Sequence, residues 1–142
     1  MIESASFNSN DQTEFLSLLH YFSLIENKSS YISDKPSRPL NLTVSATTRS
    51  TASIQWKEPK DDGGSPLKNY LIEKRQEGSE RWSRVDKVTA DITSYCVQNL
   101  IEGNEYYFRV SAENAIGMSE PCEMEKPVKI KNPFGTTNEE VS

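Results

Sequence analysis

Asp61-Asp62-Gly63-Gly64 is the run in this chain that most invites metal chemistry, because adjacent carboxylates are hard oxygen ligands. Calcium takes about six to eight oxygens in a defined loop, and the run lacks the other acidic positions of such a loop. Its glycines permit positive φ and its aspartates cap turns, so it reads first as a turn. His20 is the one histidine, and it lies close to the N-terminus. A serine–histidine–aspartate relay would require that segment to dock at a distant loop. No glycine-rich loop follows a strand and opens a helix, so phosphate or dinucleotide binding has no motif. Cys96, Cys122 and the single histidine are too few for a zinc cluster or a dense disulfide framework. Tyr106 as a catalytic phenol is far weaker than a structural reading. The residues therefore imply no enzyme, no metal, no cofactor and no small-molecule substrate.

What remains is surface. Lys74, Arg75, Arg81, Arg84 and Lys87 fall on two neighbouring strands or their turn, interleaved with Glu73, Glu77, Glu80 and Asp86. This reads first as a solvated mixed face and second as a docking face for an acidic protein segment. In the run Asn114–Ser119, Asn114 and Gly117 suit turn positions. Ile116 and Met118 are expected to be exposed there, which suits contact with a neighbouring protein surface. Asn27-Lys28-Ser29 and Asn41-Leu42-Thr43 fit the glycosylation pattern, which matters only on the secretory route.

The elements that carry these residues fit one domain with modest extensions in 142 residues. Hydrophobic residues make up 35% and charged residues 26%, an ordinary soluble balance. No apolar run approaches the ~20 residues of a membrane helix. The net charge of -5 argues against a basic nucleic-acid surface. The acidity sits at the ends. Residues 1–35 hold five acidic and two basic side chains, residues 36–134 are balanced, and the tail 135–142 adds Glu139 and Glu140.

Residues 1–35 read as an atypical N-terminal extension. Phe15, Leu18, Leu19, Phe22 and Ile25 recur at helical spacing, which predicts a short helix over 12–26 capped by Asp11. A helix this short is marginal alone. Loosely docked or irregular chain, a partner-binding or membrane-surface helix and a secretory signal are the readings it admits; a polar face with no basic cluster disfavours the membrane version and the absence of a basic start the signal. Asn27 to Pro39 reads as linker, with Pro36 and Pro39 favouring extended chain.

From residue 39 to 131 the pattern is a string of strands. Leu40, Leu42, Val44 and Ala46 alternate, as do Ala52, Ile54 and Trp56. Strands follow at about 67–75, with Tyr70 and Ile72 on one face, at 81–87 with a broken period, and at 92–99. The clearest alternation is Tyr106, Phe108, Val110 and Ala112. A last, weaker strand at about 122–131 is interrupted by Pro127. Seven short strands separated by turn residues predict an all-β, two-sheet sandwich. Trp56, Tyr70, Ile72, Leu100, Tyr106, Phe108 and Val110 are the expected core. Tyr95 and Val97 facing inward puts Cys96 outward, so two free thiols are expected.

Pro39, Trp56, the Leu100/Gly103/Tyr106 corner and Phe108-Arg109-Val110-Ser111-Ala112-Glu113-Asn114 together make residues 36–134 resemble a fibronectin type III domain. The resemblance implies a seven-stranded immunoglobulin-like sandwich. Pro59–Pro66, Asn69-Tyr70, Glu73-Lys74-Arg75, Arg81-Trp82, Ser119-Glu120-Pro121 and Lys131-Asn132-Pro133-Phe134 resemble the intracellular muscle form found in the titin, twitchin and myosin-binding protein C group. That likeness implies structural and binding work in the cytoplasm, at the sarcomere or cytoskeleton. Its implied partners are proteins, with myosin and neighbouring immunoglobulin-like or fibronectin modules foremost. It also implies that the loop with Asp61 and Asp62 sets the module's end surface toward its neighbour; Arg75, Arg81 and Arg84 remain docking positions only on the second reading of the mixed face. The alternatives are the truncated ectodomain of an adhesion molecule or receptor, and an orphan soluble domain.

Overall fold

Alternation of apolar and polar residues builds strands that bury one face, most clearly over Ala52–Lys57. The computed structural model describes residues 32–133; the expected helix over 12–26 and the tail 135–142 lie outside them. The chain divides into the units Met1–Ser33 and Asp34–Ser142. Within the second, the described residues form an all-β sandwich of two antiparallel sheets.

The first sheet holds β1 (Leu40–Thr47), β2 (Ala52–Lys57) and, beyond two further strands in sequence, β5 (Ser94–Val97), in the order β1-β2-β5. The second holds β3 (Asn69–Gln76), β4 (Ser83–Thr89), β6 (Glu105–Glu113) and β7 (Cys122–Glu123), in the order β4-β3-β6-β7. A further pair of residues, β8 (Val128–Lys129), also joins β6, at its opening residues Glu105 and Tyr106. The single last strand expected from sequence is thus two short pieces on either side of Pro127, giving eight strands among the described residues where seven were expected. Proline has no N–H for the ladder, and the chain leaves β6 around it and then rejoins it.

β6 is the spine. Its residues 106–113 pair with the full length of β3, with Tyr70 opposite Ala112 and Ile72 opposite Val110. Directly opposed residues share a face, so these four point into the gap between sheets. There they meet Ala52, Ile54 and Trp56 of β2, and all seven are buried. Leu100, Tyr106, Phe108, Val97 and Ile130 complete the buried cluster. Trp56 meets Tyr70 edge to face, with centroids 5.4 Å apart, and Tyr106 stacks on Phe108 at 6.5 Å. Such pairs add to the stabilisation that comes from buried area.

The broken period of the fourth strand has a local cause. Ile72 pairs with Asp86 and Glu73 with Arg84, so Val85 is the extra residue of a bulge. The strand begins at Ser83 rather than Arg81, and Trp82 precedes it in the turn. Asp86 accepts a 2.8 Å bond from the Tyr95 hydroxyl on β5, so the edges of the two sheets are tied together.

The crossover into β6 is held by Tyr106. The Ile101 amide donates to the Tyr106 hydroxyl at 3.1 Å, and the Gly103 amide donates to the Ile130 carbonyl at 2.7 Å. An otherwise orphaned backbone donor in the loop is thereby satisfied.

Candidate interaction surfaces

One end of the sandwich gathers three segments: residues 34–38, the loop 59–66 and the loop 114–119. Asn114, immediately after β6, lies at their centre and is 3% exposed. A buried carboxamide must use its two N–H donors and its oxygen, or lose solvation without return. Its Nδ2 donates to the carbonyls of Asp34 and Asp62, each at 2.7 Å. Its Oδ1 accepts from the Ile116 amide at 2.8 Å and the Gly117 amide at 3.0 Å. The Asn114 amide in turn donates to the Gly117 carbonyl at 3.1 Å. One side chain therefore closes its own turn and ties two remote segments to it.

The segment 34–38 lies against the loop 59–66. The Asp34 amide donates to the Gly63 carbonyl at 2.8 Å and the Ser37 amide to the Asp61 carbonyl at 2.9 Å. The Ser37 hydroxyl accepts from the Asp61 amide at 3.1 Å. Pro36 and Pro39 are buried beside these bonds. Gly63 has φ of +81°, and a Cβ built there would fall 2.1 Å from the Asp34 carbonyl oxygen. Backbone conformation and close approach both require glycine. Asp61 and Asp62 cap the turn through their carboxylates, accepting from the Gly63 amide at 2.9 Å and the Gly64 amide at 2.8 Å. Each carboxylate is thus spent on an Asx turn. Among the described residues no group of three or more His, Cys, Asp or Glu side chains is placed to hold a metal.

Ile116 stands out from this end at 55% exposure, while Met118 is only half-exposed because it bridges back to Glu113. Lys35 and Glu120 form an exposed ion pair at 3.7 Å, which contributes little to stability.

The second surface is the outer face of the five-stranded sheet. Arg109 Nε donates to Glu73 Oε1 at 2.7 Å, and its guanidinium lies 4.3 Å from the Trp82 ring centre. Arg75 lies 4.2 Å from the Tyr107 ring and 5.2 Å from Trp82, and donates to the Ser79 carbonyl at 2.7 Å. Guanidinium groups stacked on aromatic rings gain cation–π attraction. Further along, Lys87 Nζ sits 3.0 Å from Glu113 Oε1, which also accepts from Asn69. The Lys87 ammonium, with help from Asn69, holds the Glu113 carboxyl below its ordinary value. Desolvation, with the Glu77 carboxylate next, pushes the Tyr107 phenol up.

The three arginines grouped from sequence therefore divide. Arg75 is committed to the stack and to Ser79, whereas Arg81 and Arg84 are exposed, Arg84 within the field of Asp86. The turn role of Asn114 was read from sequence, but its bonds to Asp34 and Asp62, and the roles of Trp82 and Arg109, were not. A tryptophan bracketed by arginines at Arg75, Arg81 and Arg84 was the available signal for the stack. Cys96 and Cys122 are free thiols, Cys96 exposed on β5 and Cys122 half-buried on β7 in the other sheet.

Residues 35–125 match the fibronectin type III domain family. The chain is 41% identical over 101 residues to titin of Drosophila melanogaster, covering 71% of this chain and 1% of that protein. It is 38% identical over 94 residues to fast-type myosin-binding protein C of Mus musculus, covering 66% of this chain and 8% of that one. Among solved structures, the twitchin kinase region of C. elegans aligns with a TM-score of 0.66 at 35% identity, over 70% of this chain and 17% of that chain. Titin kinase with its flanking domains aligns with a TM-score of 0.65 at 37% identity, over 75% of this chain and 19% of that chain. This chain spans only a small fraction of the length of each of these relatives. Its sandwich resembles the titin-like modules, and the chain belongs to the fibronectin type III domain family.

Proposed function

We propose that the chain is a structural and protein-interaction module of a sarcomeric or cytoskeletal protein, working in the cytoplasm without catalysis. The observation that carries this reading is the likeness to modules of titin and of a myosin-binding protein, at 41% and 38% identity. The distribution of polar groups supports it. One carboxylate oxygen of Asp61 and of Asp62 and the guanidinium of Arg75 make internal bonds, and Asp61, Asp62, Ile116, Arg81 and Arg84 are exposed.

The module spans residues 36–134, or from Asp34 if the bonds of that segment are counted with it; residues 1–35 are an extension and 135–142 a tail. Its contacts are made by two surfaces. The end carrying Asp61, Asp62, Ile116 and Met118 faces a neighbouring immunoglobulin-like or fibronectin module. The edge carrying Arg81 and Arg84, held by the Arg75 stack, faces an acidic segment of a filament protein, with myosin the first candidate.

Cosedimentation of the purified 142-residue chain with myosin filaments tests the filament contact. The wild type is expected to pellet with filaments, and Arg81→Glu with Arg84→Glu to weaken that by about tenfold, through charge reversal at an interface edge. A wild type that stays in the supernatant at every filament concentration contradicts docking on myosin.

A further inference from the structure

Asn114 stands between three segments that sequence separates widely, and its hydrogen bonds are unequal in kind. Its oxygen closes a local turn, two and three residues ahead. Its nitrogen reaches carbonyls 80 and 52 residues behind it in the chain. A turn requires only the first pair. The second pair holds residues 34–38 against the loop 59–66, where the backbone bonds Asp34–Gly63 and Ser37–Asp61 run side by side. Gly63 lies against the same stretch, with no room for a Cβ beside the Asp34 carbonyl.

We infer that Asn114 is a latch that fastens residues 34–37 into the sandwich, so that the direction of the chain entering the module is set by the module itself and not by a free hinge. Pro36 and Pro39, both buried, stiffen the fastened stretch by fixing φ. The latch joins this entering strand to the turn that presents Ile116, so the exposed isoleucine and the point of entry are held in one frame. A docking surface assembled from separate loops needs such a frame, because ordering loops on binding costs affinity. The inference concerns the fastening and stands whether or not myosin is the partner.

Hydrogen exchange of the full 142-residue chain, followed residue by residue by NMR, tests it. In the wild type the Asp34 and Ser37 amides are expected to be protected by their backbone bonds, although both residues are exposed. Asn114→Asp keeps an oxygen for the Ile116 and Gly117 amides and removes both donors. It is expected to cut protection at Asp34 and Ser37 by about tenfold or more relative to the β3–β6 ladder, while the Ile116 and Gly117 amides stay protected. Gly63→Ala is expected to give the same loss at Asp34 and Ser37 with Asn114 intact. Unchanged protection at Asp34 and Ser37 in both variants overturns the latch. So does a fall of equal factor at those amides and throughout the β3–β6 ladder, which would make Asn114 a general stability residue.

Discussion

The two ends of β6 solve one problem in different ways. At its start, Tyr106 buries a ring in the core and satisfies one backbone donor of the crossover, the Ile101 amide. Just past its end, Asn114 buries a small polar group and satisfies two donors and two acceptors from three segments. At the first end most of the stabilisation is apolar and the hydrogen bond sets direction. At the second the buried apolar groups include Pro36 and Pro39, and the hydrogen bonds of Asn114 join the three segments. An end built from bonds fails when one partner is removed, because each orphaned buried group costs desolvation.

That contrast can be broken or sharpened by substitution, with the core as a yardstick. Trp56→Ala removes the largest ring between the sheets and is expected to cost about 3–5 kcal/mol through the cavity it leaves. A denaturation midpoint equal to wild type would contradict its central place. Asn114→Ala comes next, at about 2–4 kcal/mol, because it strands the Ile116 and Gly117 amides and two carbonyls at once. Tyr106→Phe keeps the ring and strands only the Ile101 amide, so about 1–3 kcal/mol is expected. If Tyr106→Phe proved costlier than Asn114→Ala in equilibrium unfolding, the comparison would fail.

The smallest effect is electrostatic. Glu113, beside Lys87, and Asp86, which accepts from Tyr95, both have carboxyl pKa values below their ordinary values of 4.5 and 3.8. A depressed folded-state pKa means that the unfolded chain binds the proton more readily. The contribution of each group is therefore fully present above its ordinary value and declines as pH falls through the depressed one. Glu113→Gln is expected to flatten the acid limb of stability against pH below about 4.5, with the neutral-pH limb unchanged in slope. An acid limb identical to wild type would show that the Lys87 pair adds nothing.

The Tyr106 end was legible in sequence because its signals are local. Alternation through Phe108 and Val110 names the inward face, and Leu100, Gly103 and Tyr106 stand within seven residues of one another. The Asn114 end was not. An asparagine after a strand, followed by Gly117, is correctly read as a turn residue from its neighbours, and half of its bonding is that turn. Its other partners lie at Asp34 and Asp62, and no periodicity connects positions so far apart. The 27–39 stretch read as linker for the same reason, since Pro36 and Pro39 look alike whether buried or free. The outer face was hidden by the bulge at Val85, which shifts register and leaves Trp82 outside the strand it was assigned to. Charge alternation marked that face as mixed, but not which arginines are spent. Only the ring positions of Trp82 and Tyr107 decide that Arg75 is held while Arg81 and Arg84 are exposed.

The Asn114 carboxamide joins the three segments, and NMR observes that group itself. In the ¹⁵N,¹³C-labelled chain, both carboxamide protons of Asn114 are expected to exchange slowly with water. Scalar couplings across the hydrogen bonds are expected from its nitrogen to the carbonyl carbons of Asp34 and Asp62. Carboxamide protons exchanging at the rate of an exposed asparagine, with neither coupling detected, would contradict the account.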